Sequence, residues 1–412
     1  MEQLIEQIVA IDIDAPGVNL ITLEQQLEIA ATRWVANGIK QHSPEWHAAR
    51  SEGSGGSTVA AYMDVYPYKT MRDIALERLG IVPFEGSVHT RWGTLLEDVL
   101  KGYVELAMNI SIVADSAFVR GPRRSYYSPD GVGIVDIAPE TIDIFGEPVV
   151  SGRQIALFEF KCPFVRMPDG RPPGYYVPQV LMGMDLLVLP TVGVFIEAVF
   201  RRCTLAQLGR GPKFDATFNV RVAKGVAKRD EALKRYGGRD IASYGIIGIY
   251  ELHQSDAVPT IGTLRDLGCV SGEEIGTIFE ELETHKNAAW YAPARIWPTM
   301  AEVESDMAAF VAFCCARGVA AVGVYPWKLL DTHTHYINKE PGFLSDTLLN
   351  RMDEMVDFVR SVAELSREEQ MLAIDKKWPE PPPAWKRPYG SDYYRWREEM
   401  NGLCEGGALF DD

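Results

Sequence analysis

The stretch "ALFEFKCP", residues 156–163, places an acid and a base two apart in an otherwise apolar run. Ala156, Leu157, Phe158 and Phe160 suit a buried strand. Side chains at i and i+2 of a strand point to one face. Glu159 and Lys161 therefore share a face, and Phe158 and Phe160 share the other. The ordinary reading of such a pair is an ion pair on a solvated sheet edge. A second stretch shifts the balance. "YYSPDGVGIVDI", residues 126–137, puts Asp130 in a Pro-Asp-Gly turn ahead of a strand-like run. The 28 residues between Asp130 and Glu159 suffice for one strand, a loop through "ETIDIFGEPVVSGRQ" and a return strand. Neighbouring strands lie about 4.8 Å apart. An Asp at the start of one and a Glu on the next can chelate one hard divalent cation, with Lys161 beside it. Oxygen ligands in a wet site favour Mg²⁺ or Mn²⁺.

Pro129-Asp130 … Glu159-Phe160-Lys161 resembles the PD-(D/E)xK nuclease signature. Four further stretches extend the likeness to the phage lambda-type exonuclease and viral recombinase (YqaJ-like) family, related to herpesvirus alkaline nucleases. "SPEWHAARSEGSGGSTVAAYM" (43–63) resembles a W-x3-R…GS segment, through Trp46, Arg50, Gly56 and Ser57. "YPYKT" (66–70) resembles an S-P-Y-K-T turn, and "RWGTLLEDVL" (91–100) a G-x3-E helix with Gly93 and Glu97. "YYVPQVLMGM" (175–184) resembles the Y-x2-Q-x-Q helix that follows the E-x-K strand. Here the first glutamine is Gln179 and the second position is Leu181. The matches stand in family order over about residues 43–190.

The resemblance implies an α/β fold: a restriction-endonuclease-like core, with a central mixed sheet flanked by helices, carrying helical additions. It implies a metal-dependent 5′→3′ exonuclease acting on free ends of double-stranded DNA, in recombination, repair or viral genome processing. Asp130, Glu159 and the Phe160 carbonyl then hold a first Mg²⁺ (or Mn²⁺), and Glu97 a second. Lys161 orients or deprotonates water, and Gln179 completes the catalytic set. Three nearby carboxylates favour a cationic Lys161, which weakens a general-base role. Arg50 and Ser57 resemble the family's 5′-phosphate pocket; a guanidinium binds phosphate bidentately. Taken alone, "SEGSGGS" reads equally as a flexible loop, and Trp46 as a core anchor. A single-strand annealing protein as partner and a homotrimer are further implications. An alkaline-nuclease-type endonuclease or RNase, and a non-catalytic DNA-end-binding protein, are the competing readings.

Composition sets outer bounds. The 412 residues are 47% apolar and 24% charged, ample for a large core. No apolar run reaches the ~18 residues of a membrane span, and the acidic N-terminus lacks the basic region of a signal peptide. Six cysteines without C-x2-C spacing indicate reduced thiols, hence an intracellular, non-secreted protein. His333 and His335 in "THTH" share a strand face but have no third ligand in sequence reach. The net charge of −16 is awkward for a DNA-binding protein. Two basic segments offset it locally: "RGPRR" (120–124), and residues 201–239 with eleven Lys and Arg from Arg201 to Arg239. A solvated helix face explains the second equally well.

The pass along the chain predicts a helical extension at 1–40 and a nuclease core at 41–204 with all catalytic motifs. A mostly helical insertion at 205–315 follows, with a candidate strand at 244–252. Residues 316–370 return to the core, with two strands or a strand and an irregular run at 318–337, then one amphipathic helix from 344. Residues 371–412 form a Pro- and aromatic-rich packing arm and an acidic tail.

Overall fold

A computed structural model describes residues 21–41, 43–82, 88–164, 166, 168, 170–202, 243–254, 287–291, 295–296, 300–383, 386 and 392–405. In chain order the elements are α1 (Leu23–Val35), α2 (Pro44–Ser51), β1 (Ser54–Gly55), α3 (Gly56–Tyr62), α4 (Met71–Arg78), α5 (Val88–Met108), β2 (Ile112–Val113), β3 (Val119–Arg120), β4 (Ser125–Tyr127), β5 (Gly131–Ile137) and β6 (Gly152–Lys161). A 3-10 turn (Gly174–Tyr176), α6 (Val177–Leu187), β7 (Val192–Arg202), β8 (Ser243–Gln254), β9 (Asn287–Tyr291), β10 (Arg295–Ile296), α7 (Met300–Arg317), β11 (Val319–Asn338), α8 (Asp346–Val362), α9 (Arg367–Lys377) and α10 (Tyr393–Glu405) follow.

Local chemistry sets several of these boundaries. Ser43 caps α2, with Pro44 in the first turn, where its missing N–H costs nothing. Thr70, the last residue of "YPYKT", forms a capping box with Asp73 and starts α4. Ser366 does the same with Glu369 at α9, which is why the helix predicted from 344 to 370 is two helices. The stretch leading into the strand-like run after Asp130 is divided as well, into β3 and β4. Pro122 and Arg123, the latter at φ 56°, turn the chain between β3 and β4. Those strands join β1 in a small sheet of order β1-β4-β3.

The main sheet runs β10-β8-β11-β7-β6-β5-β2, with β9 also on β8. β6 and β7 are parallel, joined through α6; the other pairs are antiparallel. This is the mixed sheet flanked by helices that the resemblance implies. One side of the sheet, with Leu157 and Phe195, packs on α3, α4, α6 and α8. The opposite side, with Phe158, Phe160 and Phe200, packs on α5 through Trp92, Leu96, Leu100 and Val104. The two apolar layers are the i and i+2 sets that the strand period dictates.

Within the expected helical insertion at 205–315, the described residues are β8, β9, β10 and the part of α7 up to residue 315; the rest of that segment lies outside the described residues. β8 contains the candidate strand 244–252 and pairs with β11 along the sheet. Apart from Gly318, residues 318–337 belong to one twenty-residue strand, β11, with register shifts near Ala321 and between Leu329 and Asp331. Beyond Arg201 and Arg202, the basic segment 201–239 lies outside the described residues, as do residues 1–20 and the acidic end of the chain. At the C-terminal arm, fully buried Tyr393 joins the main core. Among the described residues no helix is long and apolar enough to cross a membrane.

Candidate active site

Gly131 pairs with Phe158 across the antiparallel β5–β6 ladder. One step further, Asp130 stands opposite Glu159. The Phe160 amide donates to Asp130 Oδ2 at 2.7 Å, tying the turn to the strand. Glu159 is fully buried, with Lys161 beside it on the same face. The Lys161 ammonium donates to Glu159 Oε1 and, at 3.0 Å, to the Phe160 carbonyl; it lies 3.9 Å from Asp130 Oδ2. Two carboxylates and a backbone carbonyl thus converge on one cation.

Two neutral donors complete the shell of Glu159. Tyr127 of β4 donates to Oε2 at 2.9 Å, and Gln179 of α6 to Oε1 at 2.6 Å. Leu181 is buried in the apolar core, so of the two positions on this helix only Gln179 serves the site. Tyr127 is not signalled by the resemblance. Its signal in the sequence is the alternation of "YYSPD": Tyr126 stacks on Phe118 while Tyr127 turns to Glu159. Burial, then the Glu159 and Asp130 charges, push the Tyr127 hydroxyl well above its ordinary range, so it remains a donor.

The electrostatics show a shortage of positive charge. Burial lifts Asp130 well above the usual carboxylate range, and Glu159 and Glu97 lift it further. Glu97, on α5, is pushed up to about 7 by burial, with Glu159, Asp98 and Asp115 adding and Lys161 opposing. For Lys161, burial works against the charge, but Glu159 and Asp130 outweigh it and hold the ammonium above the ordinary lysine range. With no ion among these carboxylates, Lys161 is held as a cation by its neighbours. Asp130, Glu159 and Glu97 face one lysine. Among the described residues no three His, Cys, Asp or Glu side chains are gathered closely enough to form a metal cluster. The donor set nevertheless has the hard-oxygen chemistry of a Mg²⁺ or Mn²⁺ site, and the charge shortage is of the sign a divalent ion corrects.

Arg50 and Ser57 also come together. Arg50 Nη2 donates to Ser57 Oγ at 3.4 Å, and the guanidinium lies 4.1 Å from the Trp46 ring centroid. Trp46 is both a buried anchor and the stacking partner of Arg50, with Nε1 donating to Ser128 at 3.0 Å. The glycine-rich turn is not a flexible loop. Residues 53–56 are buried, Ser54 meets the Tyr62 hydroxyl at 2.7 Å, and Arg78 donates to the Gly53 carbonyl. A Cβ on Gly56 would stand 2.7 Å from the Tyr127 ring and 3.3 Å from Gln179 Cγ. The turn that carries Ser57 is thus in contact with both neutral donors to Glu159. Arg78, which sequence reasoning missed, lies 21 residues past Ser57 in the chain.

Other sequence candidates are spoken for. Arg123 lies 3.6 Å from Asp353 and 3.7 Å from Asp346, and Arg124 lies 2.5 Å from Asp357. Two of the three arginines of "RGPRR" are thereby occupied by α8, and the third, Arg120, lies 3.8 Å from Glu52. His333 pairs with Asp331 at 3.2 Å, and His335 packs beside Phe195.

Residues 45–186 match the YqaJ-like viral recombinase domain, a span holding Arg50, Ser57, Glu97, Asp130, Glu159, Lys161 and Gln179. A curated protein of African swine fever virus, from the Tick/Malawi isolate, is 26% identical over 321 residues, covering 74% of this chain and 82% of that protein. Its counterpart in the Badajoz strain is 32% identical over 184 residues, covering 41% of this chain and 53% of its own length. The chain carries, over residues 45–186, a YqaJ-like viral recombinase domain.

Proposed function

We propose that this chain is a metal-dependent 5′→3′ exonuclease that degrades double-stranded DNA from free ends in viral recombination or genome processing. The observation that carries the reading is the convergence of Asp130, Glu159 and the Phe160 carbonyl on the Lys161 ammonium, with Gln179 linking that group to the Arg50–Ser57 turn. Asp130, Glu159 and the Phe160 carbonyl are the residues to hold a first Mg²⁺ or Mn²⁺, and Glu97 to hold a second. Such ions supply charge neutralisation at phosphorus and an activated water. The protein's own groups do the rest. Tyr127 and Gln179 orient Glu159 by donating to both of its oxygens. Lys161 presents a permanent positive charge to the phosphodiester. Arg50, held against Trp46, receives the terminal 5′-phosphate.

The test compares linear and covalently closed duplex, with Mg²⁺ or with EDTA. Degradation of the linear form alone, and only with the ion, is expected. Equal cutting of closed circles replaces this reading with the endonuclease one. Binding of ends without cleavage replaces it with an end-binding protein.

A further inference from the structure

Four tyrosines form a continuous path from solvent to the candidate site. Tyr68 and Tyr66 flank Pro67 in the turn before α4. Their rings lie 5.9 Å apart at 90°. Both touch Tyr175, at 5.7 Å for Tyr68 and 5.3 Å for Tyr66. Tyr175 lies 4.5 Å from Tyr176, and the Lys161 ammonium lies 5.4 Å from the Tyr176 centroid. The path thus ends on the residue bound to Glu159.

The outer end is unusual. Tyr68 is 75% exposed, the highest value among the exposed large hydrophobic side chains described, and the only aromatic one. A free-standing tyrosine would lose little by pointing anywhere. This one is wedged by two near-perpendicular ring contacts and set in a turn stiffened by Pro67. Folding holds the ring in place without covering it. The partner must therefore offer a flat apolar face, and it must lie along the route to Lys161. Arg171, exposed three residues before the 3-10 turn that carries Tyr175 and Tyr176 and 5.3 Å from the Tyr394 ring, supplies positive charge close to that turn in the chain and makes no ion pair among the described residues. A planar group on a polyanion fits this combination of ring and cation. Paired bases offer no open face except at an end, so the fit is to an unpaired base.

We propose that Tyr68, propped by Tyr66 and Tyr175, is a stacking platform for an unpaired nucleobase of the DNA strand that leads to Lys161. The inference rests on the nuclease reading for its choice of nucleic acid, but its test needs no cleavage. The full chain, in EDTA, is titrated into a single-stranded oligonucleotide carrying 2-aminopurine at its 5′ end, and into the same probe in duplex form. Fluorescence quenching on the single strand, weaker on the duplex, is expected. Tyr68→Leu should weaken single-strand affinity about tenfold, the equivalent of ~1.4 kcal/mol, and abolish the quench. Tyr68→Phe should retain both. Wild-type affinity and quench in Tyr68→Leu, or no quench with the wild-type chain, overturn the platform. Cleavage is measured in parallel. A Tyr68-dependent quench in a chain that never cuts keeps the platform and discards the exonuclease, whereas normal cutting with an indifferent Tyr68 does the reverse.

Discussion

Two glutamates on neighbouring strands are both fully buried: Glu159 on β6 and Glu197 on β7. The parallel register sets Glu197 beside Lys161. Each has a cationic partner, Lys161 for the first and Arg166 for the second. Burial and an ion pair therefore do not tell them apart. Their surroundings do. Glu197 is taken by both guanidinium nitrogens of one arginine, a closed and neutral pair. Glu159 shares its single lysine with Asp130, has Glu97 nearby, and needs Tyr127 and Gln179 as well. The first group is short of positive charge and the second is not. A buried carboxylate marks a candidate site when its neighbourhood leaves negative charge uncompensated, not merely when it is buried.

The sharpest way to break this contrast is Asp130→Asn. Losing one charged metal ligand should lower the rate of linear duplex degradation by at least ~10³ while DNA binding survives. Near-wild-type rates would leave the site assignment without support. At the other glutamate the effect should fall on stability. Arg166→Met strands a buried carboxylate, which should cost about 3 kcal/mol in denaturant unfolding. Glu197→Gln should cost only ~1 kcal/mol, because Arg166 is about one-third exposed and can turn to water. Replacing both residues by Met should recover most of the loss. Equal costs for the two single variants would mean that Glu197 does not depend on its arginine.

The contrast also explains what the sequence could convey. The face shared by Glu159 and Lys161 follows from strand period alone, and Asp130 opposite them follows from a turn and a plausible ladder. Those relations are local, within about thirty residues. Arg166 reaches Glu197 from a loop, with no period to announce it. Tyr127 was readable only after β4 was known to be a separate short strand. Arg123 and Arg124 read as free basic charge, because their acidic partners on α8 lie more than two hundred residues away. β8 was partly legible: its apolar run was visible, but its place beside β11 is a pairing of distant segments that composition does not encode. The long helix expected after 344 failed at Ser366, where a capping box outweighed continued amphipathic spacing.

Arg50 offers a smaller effect. Its guanidinium is stacked on Trp46 and touches Ser57, so it is oriented before any substrate arrives. A terminal 5′-phosphate carries nearly one charge more than an internal diester, and a charge-assisted bond to it is worth roughly 1.5–3 kcal/mol. Linear duplex with 5′-phosphate ends should be degraded about ten times faster than duplex with 5′-hydroxyl ends. Arg50→Ala should erase the difference. Trp46→Leu should reduce it, since the guanidinium loses its stacking surface. No preference in the wild-type chain would remove the phosphate pocket and favour endonuclease action.

Glu97 tests the charge shortage itself, with the smallest effect. Its carboxyl is pushed up to about 7, first by burial and then by the charges around it. A carboxyl whose folded value lies above its unfolded value, near 4.5, binds more protons in the native state across that interval. Its contribution to stability is fully present below about 4.5 and is lost as pH rises through about 7. Without divalent ions, the wild-type chain should therefore lose stability between those values. Glu97→Gln cannot ionise, so its profile should be flatter, with a gain on the order of 1 kcal/mol at pH 8. Saturating Mg²⁺ should shrink that gain or reverse it, because ligand carboxylates must be ionised to bind and the ion stabilises the state that holds it. Glu197→Gln should show no comparable flattening, its carboxylate being matched by Arg166. Denaturant midpoints of the three proteins at pH 5, 6, 7 and 8, with Mg²⁺ and with EDTA, measure all of this. Parallel profiles for wild type and Glu97→Gln would place Glu97 outside the group of charges around Lys161, and a Mg²⁺ effect that survives Glu97→Gln unchanged would leave Asp130 and Glu159 as the only carboxylates through which the ion acts.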